Sequence, residues 1–449
     1  MQDKAPSWGI EPVPPPLRVL GLADTMLLWG NLGVSLLVLV AAAFLVPALS
    51  LRDALVAIVL GSLIGNLMLG AAGLIGADAR VPAMVLLRAP LGQRGSYLPT
   101  GLNVLQCLGW AVFELIIIAS AATALSKELL DAGATWFWTL VFGAVAATMA
   151  LIGPVGVVRR FIRKYAVWAV AASLLYLTWW ALADADLRKL WDAPAEGGSS
   201  IWLGIDLVVA ITVSWTPLVA DYTRFSRDRR SAFLGAGIGY FVAGTWMFLL
   251  GAFLVLSRGL ADPAEVPAAV AAAGFAAALA LLAVTVDEAD EAFANVYSTA
   301  VSLQNLLPRL PQRLLVGFVA VLATVGALTI QLRNYETFLL LLGSFFVPLF
   351  GVLLADWLLR GARYGPDEVF RGPAVRPATI AAWLAGFALY HWLHVPPLGP
   401  SWWVDWVEAV GQPSWEYGAT LPTFAAAFAL AALAVVVERR LAPGRLRVE

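Results

Sequence analysis

The stretch from residue 285 to residue 308 reads TVDEADEAFANVYSTAVSLQNLLP, and it decides how many times the chain crosses a membrane. Four acids fall within five residues of it: Asp287, Glu288, Asp290 and Glu291. They interrupt a chain that is otherwise mostly apolar. They form either a loop between two helices or a row of carboxylates on one helix, and the two alternatives predict different topologies for everything downstream.

The composition indicates a polytopic, all-helical membrane protein. The chain has 449 residues, of which 61% are hydrophobic and 13% are charged, and its mean hydropathy is +0.81. A bilayer core about 30 Å thick needs about 20 apolar residues per helix, and runs of that kind recur along the whole chain. The net charge of -1 gives no case for a nucleic-acid partner, and the single cysteine, Cys107, excludes an intramolecular disulfide.

The distribution of basic residues chooses between the loop and the helix. Twelve spans with both termini cytoplasmic leave six of the 29 basic residues outside: Arg52, Lys127, Arg188, Lys189, Arg258 and Arg333. A loop at the acids makes thirteen spans and puts 14 basic residues inside and 15 outside. Because cytoplasmic loops carry an excess of Lys and Arg, we predict that the acids lie on a continuous eighth span. It covers 280–306, after a short outer helix, in a protein of the inner (cytoplasmic) membrane.

The order of the spans predicts two inverted repeats. Spans one to five and spans six to ten cover blocks of nearly equal length, and an odd number of spans in each block gives them opposite orientations. The predicted segments are a cytoplasmic tail (1–23), the first repeat (24–183), the second repeat (201–360), spans eleven and twelve (376–440) and a second cytoplasmic tail (441–449).

The first helix of each repeat carries residues that break helices. Span one contains WGNLGVS at 29–35, with Gly30, Asn31 and Gly33, and span six contains SWTPLVADYTRF at 214–225, with Pro217. Close packing of small residues or an ordinary proline kink would explain either feature alone. Their matched positions favour two helices broken near the midplane, whose unwound backbone binds ions and substrate.

The eighth span carries a polar stripe. Asp287, Glu291, Asn295, Ser298 and Ser302 are three or four residues apart, and so share one helix face. Interhelical hydrogen bonding explains Ser302, but carboxylates are costly at depth. Asn295, Ser298 and Thr299 lie about 12–18 Å from the inner end of the helix. Their neutral oxygens suit sodium, together with span-one carbonyls.

The depth of the acids predicts separate roles for them. We expect the DEADE acids at 287–291 to lie in the outer half and to line an entry vestibule. Only Glu291 is deep enough to touch substrate or to carry a proton, and Asp287 is a candidate for gating.

The third span presents three polar or aromatic residues on one face. Gln106, Trp110 and Glu114 are four residues apart, and Glu114 is expected at the level of Glu291. A core-packed indole is the alternative for Trp110. Together the three predict a site where the indole stacks on a planar ring while the amide and carboxylate read the ring's edge. A carboxylate suits an aminopyrimidine, whose exocyclic amine donates to it. Trp215, beside the predicted break in span six, could close the other face.

Five stretches in this order resemble nucleobase:cation symporter family 1, above all its cytosine-permease and hydroxymethylpyrimidine-like branches. They are GIEPVPP (9–15), LLWGNLGVS (27–35), LNVLQCLGW (102–110), VADYTRF (219–225) and NVYSTAVSLQNL (295–306). The resemblance covers nearly the whole chain. It implies the LeuT-like fold of two inverted five-helix repeats plus two further helices.

The resemblance also implies site residues. The sodium ligands would be Asn295, Ser298 and Thr299 with backbone of Gly30 and Gly33. Trp110 and Trp215 would sandwich the base, and the residues that read its edge would be Gln106, Glu114, Gln304 and Asn31. Glu114 stands where hydantoin carriers have a neutral amide. No organic cofactor is implied.

The sequence therefore predicts a sodium-coupled importer of a pyrimidine-type base, such as cytosine or hydroxymethylpyrimidine, working by alternating access. Its partners would be this small heterocycle and the lipid bilayer. One alternative is a proton-coupled symporter of a purine, a hydantoin, allantoin or another small heterocycle. More distant ones are an amino-acid carrier of the same fold and an intramembrane enzyme that uses the acids as general acid and base. The oligomeric state has no signal in the sequence.

Overall fold

A computed structural model describes residues 9–131, 133–157, 167–183, 185–259, 266–330, 335–394 and 398–441. Within these residues the chain is helical, and its one β-type pairing is an isolated parallel bridge between Leu20 and Ser226. The ends of the predicted cytoplasmic tails, at 1–8 and 442–449, lie outside the described residues. So do Arg159, Arg160, Arg163, Lys164 and Arg333, which the topology argument used.

The described residues of the first half of the chain form ten helices: α1 (Leu22–Asn31), α2 (Leu36–Ala41), α3 (Leu51–Ala79), α4 (Ala83–Leu86), α5 (Arg88–Leu91), α6 (Tyr97–Leu130), α7 (Thr135–Ile152), α8 (Pro154–Val157), α9 (Val167–Ala183) and α10 (Leu187–Asp192). The second half forms twelve: α11 (Ile201–Val213), α12 (Thr216–Thr223), α13 (Arg229–Arg258), α14 (Val266–Ala272), α15 (Phe275–Asp287), α16 (Ala289–Leu306), α17 (Gln312–Thr329), α18 (Tyr335–Leu359), α19 (Pro366–Phe370), α20 (Pro377–Leu393), α21 (Ser401–Val410) and α22 (Thr420–Leu441). Single-turn 3₁₀ helices cover Pro15–Leu17 and Ala42–Phe44.

Eight helices in the described part of the chain are long and apolar enough to cross a membrane, and a bent pair at the start makes a ninth. The other three predicted spans correspond to α9, to α15 with α16, and to α20. Of these, α9 and α20 each have 17 residues, and the four acids lie where α15 meets α16. The protein is thus a multi-pass helical membrane protein, while the number twelve and the repeat boundaries stay predictions.

The predicted break in span one is confirmed. Helix α1 ends at Asn31, α2 begins at Leu36, and the two halves are bent by 55°. The Ser35 side chain accepts hydrogen bonds from the backbone N–H groups of Leu37 and Val38, so it caps the new helix start. The bend leaves backbone and side-chain groups of this segment facing the interior of the bundle.

Span six is less disturbed than the sequence predicts. Ser214 and Trp215, between α11 and α12, keep right-handed helical dihedral angles, and residues 201–223 form one apolar span. Pro217 lies in the first turn of α12, where a missing N–H removes no helical hydrogen bond. Span six is therefore interrupted by a two-residue turn at the predicted position, but it lacks the bend of span one.

The acids of span eight lie on a helix, as predicted. Only Glu288 separates α15 from α16, and it keeps helical dihedral angles. Its N–H bonds to the Val284 carbonyl, and the Glu291 N–H bonds to the Glu288 carbonyl. The predicted short preceding helix is α14, which ends before Gly274 at a φ of 117°.

Glycines bring the first two spans of one predicted repeat into close contact with the first two spans of the other. A Cβ placed on Gly61 of α3 would lie 2.7 Å from the Val208 Cβ of α11, and one on Gly65 would lie 2.7 Å from the Thr212 Cβ. Likewise, a Cβ on Gly239 of α13 would lie 2.6 Å from the Met26 carbonyl oxygen of α1. These contacts hold α1, α3, α11 and α13 together around the broken span.

The segment before α1 is packed against the end of α12. The Leu20 N–H bonds to the Phe225 carbonyl, the Arg227 N–H bonds to the Leu20 carbonyl, and the Val13 N–H bonds to the Arg80 carbonyl. Residues 9–21 of the predicted tail therefore close one end of the bundle.

Candidate functional site

Glu288 joins span eight to the break in span one. Its carboxylate accepts hydrogen bonds from the Ser35 hydroxyl at 3.0 Å and from the Leu36 N–H at 2.9 and 2.8 Å. These partners lie at the start of α2, where backbone N–H groups lack helical acceptors. An acid of one predicted repeat thus accepts a hydrogen bond from a backbone N–H at the helix start that lies in the other repeat.

Asn31, the last residue of α1, binds two further acids. Its amide nitrogen donates to Asp287 at 2.9 Å and to Asp290 at 2.7 Å. All four acids of the DEADE segment are buried, with at most 3% of any side chain exposed. The expectation that they line an entry vestibule is therefore wrong, because they pack into the bundle against the break.

Glu114 of α6 completes a group of three carboxyls, which we call the carboxyl cluster: Glu114, Glu288 and Glu291. One oxygen from each lies within 4.8 Å of the others. This confirms that Glu114 and Glu291 share a level, and the sequence did not foresee Glu288. The gating or proton-coupling roles of Glu291 and Asp287 stay predictions.

The carboxyl cluster holds unused hydrogen-bonding capacity. Both Glu114 oxygens and the Glu291 Oε1 atom are buried without a hydrogen-bond partner, whereas both Glu288 oxygens are bonded. Among the described residues, no lysine, arginine or histidine is hydrogen-bonded or ion-paired to these three carboxyls, to Asp287 or to Asp290. A buried carboxylate needs a positive partner or donors, so the cluster is suited to a ligand that supplies them.

Gln106 ties α6 to the junction of α11 and α12. Its amide nitrogen donates to the Asn103 side chain and to the Ser214 carbonyl, both at 2.9 Å, and its Oε1 atom has no partner. Ser214 precedes Trp215, so this bond brings the predicted edge reader and the predicted stacking residue to one place. Trp110, one turn further along α6, packs its ring against Phe338 at 5.4 Å between centroids.

Trp215 belongs to a group of aromatic rings that the sequence did not single out. Its ring centroid lies 5.8 Å from that of Trp29 and 6.0 Å from that of Tyr240. Trp29 also contacts Tyr222, and its ring nitrogen is buried without an acceptor. The position of Trp29 next to Gly30 in WGNLGVS was the available signal. The sandwich of Trp110 and Trp215 around a base stays a prediction.

The predicted sodium ligands of span eight are buried, and most of their polar groups already have protein partners. The Thr299 hydroxyl donates to the Asn295 carbonyl at 2.7 Å, and the Ser298 hydroxyl donates to the Tyr222 hydroxyl at 3.4 Å. On span one, a Cβ at Gly30 or Gly33 would point at α13. The side-chain hydrogen bonds of the break go to Asp287, Glu288 and Asp290 instead. The sodium role of these five residues stays a prediction.

Gln304 lies apart from the other predicted edge readers. It is thirteen residues after Glu291, about 20 Å along the helix axis, and its amide nitrogen donates to the Leu310 carbonyl at 3.3 Å. The next residue, Asn305, bonds to Arg88 and Thr100. The structure thus places Gln304 at the end of α16, away from the carboxyl cluster.

A second polar network lies between the site and the packed segment before α1. The buried Arg224 donates to the Gly9 carbonyl at 2.8 Å and to the Tyr297 hydroxyl at 2.9 Å. Asp221 accepts from the Ala83 N–H at 2.9 Å, and the Tyr222 hydroxyl donates to the Ala294 carbonyl. Arg224 was given no functional role from the sequence, so this network was missed.

The bent first span, the glycine-packed bundle and the buried polar site at the break define a membrane transporter. The chain belongs to the family of permeases for cytosine and purines, uracil, thiamine and allantoin, whose sequence model matches residues 12–412. This confirms the resemblance to nucleobase:cation symporters. It also excludes the enzyme alternative, because the family consists of permeases.

The cytosine permease of Escherichia coli K12 is 28% identical to this chain over 353 residues, covering 77% of this chain and 80% of the permease. Among solved structures, Mhp1, a nucleobase-cation-symport-1 family transporter, is similar in its closed conformation with bromovinylhydantoin bound. Its TM-score is 0.78 at 19% identity, covering 98% of this chain and 96% of Mhp1. A Na⁺-coupled sialic acid symporter in a substrate-bound outward-open state has a TM-score of 0.61 at 10% identity, covering 95% of this chain and 90% of its own. These likenesses confirm the predicted fold class.

Proposed function

We propose that the protein imports an amino-substituted pyrimidine, of the cytosine or hydroxymethylpyrimidine type, by alternating access. The observation that carries this proposal is Glu114, which is buried without a hydrogen-bond partner one turn beyond Trp110 on the same helix. The indole offers a flat surface for a heterocycle. The carboxylate offers an acceptor for an exocyclic amine. The relative named cytosine permease agrees with this substrate class.

The other contacts follow from the same geometry. Gln106 has a free carbonyl oxygen next to Trp110, and Trp215 lies beside the residue that Gln106 binds. Asn31 would shift the carboxylates of Asp287 and Asp290, to which it donates hydrogen bonds, when substrate binds. Gln304 would act only as substrate leaves past the end of α16.

We further propose that transport is coupled to Na⁺ bound by Asn295, Ser298 and Thr299 with backbone oxygens of Gly30 and Gly33. The support is a set of buried neutral oxygens on one turn of α16, which suit a hard monovalent cation. The Na⁺-coupled sialic acid symporter has a similar fold. Bound Na⁺ would favour the outward-open state, so that substrate and ion act through one conformational equilibrium. We place the protein in the inner membrane with both termini cytoplasmic, because the basic residues concentrate on that side.

The test is uptake of radiolabelled cytosine and hydroxymethylpyrimidine into proteoliposomes, with and without an inward sodium gradient. We expect uptake of at least one substrate, and faster uptake with the gradient. Uptake that ignores sodium but follows a pH gradient would replace the sodium proposal with proton coupling. Absence of uptake for both, with uptake of a purine or hydantoin, would overturn the substrate class.

A further inference from the structure

We infer that the substrate binds as a cation: an amino-substituted nitrogen heterocycle, protonated on a ring nitrogen next to the amine, held by Glu114 and Glu291. This inference rests on the proposed function and narrows it from pyrimidine-type bases in general to those that present an amidine edge. It excludes neutral imides, whose edges carry carbonyl oxygens on both sides of the ring N–H.

The first argument is a count of free acceptors and donors. The buried side-chain oxygens without hydrogen-bond partners include both Glu114 oxygens and the Gln106 Oε1 atom on α6, and the Glu291 Oε1 atom on α16. The Gln106 amide nitrogen already donates twice, so it has no donor left for a ligand. The site therefore offers hydrogen-bond acceptors to the edge of the ligand, and a ligand that fits it must supply several donors.

The second argument is charge. Five carboxyls meet around the break, and among the described residues none of them is paired with a basic side chain. Glu288 is compensated by the backbone N–H of Leu36 and the Ser35 hydroxyl, and Asn31 serves Asp287 and Asp290. Glu114 and Glu291 have no such compensation. Since an unpaired buried carboxylate is costly, a positively charged ligand lowers the free energy of the site more than a neutral ligand with the same N–H donors does.

The third argument is geometry. An amidinium edge carries two parallel N–H groups, which match the two oxygens of one carboxylate as an arginine side chain does. Glu114 has both oxygens free, and Glu291 approaches it within 4.8 Å. A neutral imide would instead point carbonyl lone pairs at carboxylate oxygens, which is repulsive. The Trp29 ring N–H, buried without an acceptor beside Trp215, remains for a single acceptor on the ligand.

This binding mode has a consequence for coupling. A heterocycle that binds as a cation carries its proton through the membrane, so each cycle moves a positive charge even without another ion. The chain then needs no proton-accepting side chain of its own to make uptake respond to the membrane potential.

The test compares two heterocycles of equal size that differ in charge. One is 2-aminopyridine, which is mostly a cation at pH 6 and then carries a ring N–H next to its amine, and the other is neutral 2-pyridone. Each is used at pH 6 to compete with the best transported base in proteoliposomes. We expect 2-aminopyridine to compete at least about tenfold better, as the loss of charge-assisted hydrogen bonds implies. Glu114→Gln and Glu291→Gln should reduce that preference, and Glu114→Gln should improve competition by 2-pyridone. Such a gain cannot come from misfolding. Glu128→Gln, an exposed glutamate on the same helix, should leave the preference unchanged.

Two outcomes would overturn the inference. One is equal or better competition by 2-pyridone in the wild type, and the other is a preference that survives Glu114→Gln in protein that still transports. If neutral imides exchange and amino heterocycles do not, the inference fails while the transport function stands. If no heterocycle of either kind exchanges, the proposed function itself fails.

Discussion

Both carboxylate oxygens of Glu288 lie within hydrogen-bonding distance of the backbone N–H of Leu36, at 2.9 and 2.8 Å. The two residues are 252 positions apart and belong to different predicted repeats. A side chain of span eight therefore acts as the cap for the second half of span one. Any motion that separates the two spans has to break this bond, which links the shape of the break to the carboxyl cluster.

Glu288→Ala should destabilise the protein more than any other change in the DEADE segment. It removes the acceptor for the Leu36 N–H and the Ser35 hydroxyl and leaves the former buried, which costs about 1–3 kcal/mol. The check is thermal unfolding in detergent, with Glu128→Ala on an exposed site as the control. A melting temperature of Glu288→Ala equal to that of the wild type would show that water or another side chain replaces the cap.

Asn31→Asp should be worse than Asn31→Ala. The aspartate removes the donor to Asp287 and Asp290 and adds a third carboxyl beside them, whereas alanine only removes the donor. We expect a further loss of about 1–3 kcal/mol for the aspartate, partly restored by adding Asp287→Asn. Unfolding of the single and double variants measures this coupling. Additive effects of the two changes would contradict the contact.

Gly61→Ala should destabilise the bundle by about 1–3 kcal/mol, because the new Cβ would lie 2.7 Å from the Val208 Cβ and 2.9 Å from the Ile205 carbonyl oxygen. Gly317→Ala on α17 is the matched control. Nothing lies within 4 Å of a Cβ there, and alanine favours a helix over glycine, so its stability should equal or exceed that of the wild type. Equal melting of the two variants would argue against close packing of α3 on α11.

Arg224→Lys should loosen the segment before α1. Lysine keeps the charge but cannot reach the Gly9 carbonyl and the Tyr297 hydroxyl together as the planar guanidinium does. Limited proteolysis should then cut within 9–20 faster than in the wild type, while Arg230→Lys, at an exposed position, should not change the rate. Unchanged cleavage in Arg224→Lys would show that the bridge between Leu20 and Ser226 is enough to hold the segment.

The fold could be predicted because membrane helices follow local rules. Apolar runs locate the spans, basic residues orient them, and Gly30, Asn31 and Gly33 mark a break that the structure contains. The site was harder to predict from the sequence than the fold. The prediction of a vestibule rested on the depth of the acids along one helix. Their partners Asn31 and Ser35 lie more than 250 positions away in the sequence, so these contacts could not be read from that helix alone. Pro217 marks the place where α12 begins after the turn at 214–215, but its position in the first turn of a helix does not by itself produce a bend.

The sodium proposal makes a prediction that separates the ion site from the carboxyl cluster. Ser298→Ala and Thr299→Ala should each raise the sodium concentration needed for half-maximal uptake by about fivefold, because each removes one oxygen ligand worth on the order of 1 kcal/mol. They should leave the preference for 2-aminopyridine over 2-pyridone intact, since neither hydroxyl belongs to the cluster. Thr148→Ala, an exposed threonine whose hydroxyl also bonds to its own helix backbone, controls for the loss of a hydroxyl. An unchanged sodium requirement in both variants would remove Ser298 and Thr299 from the ion site.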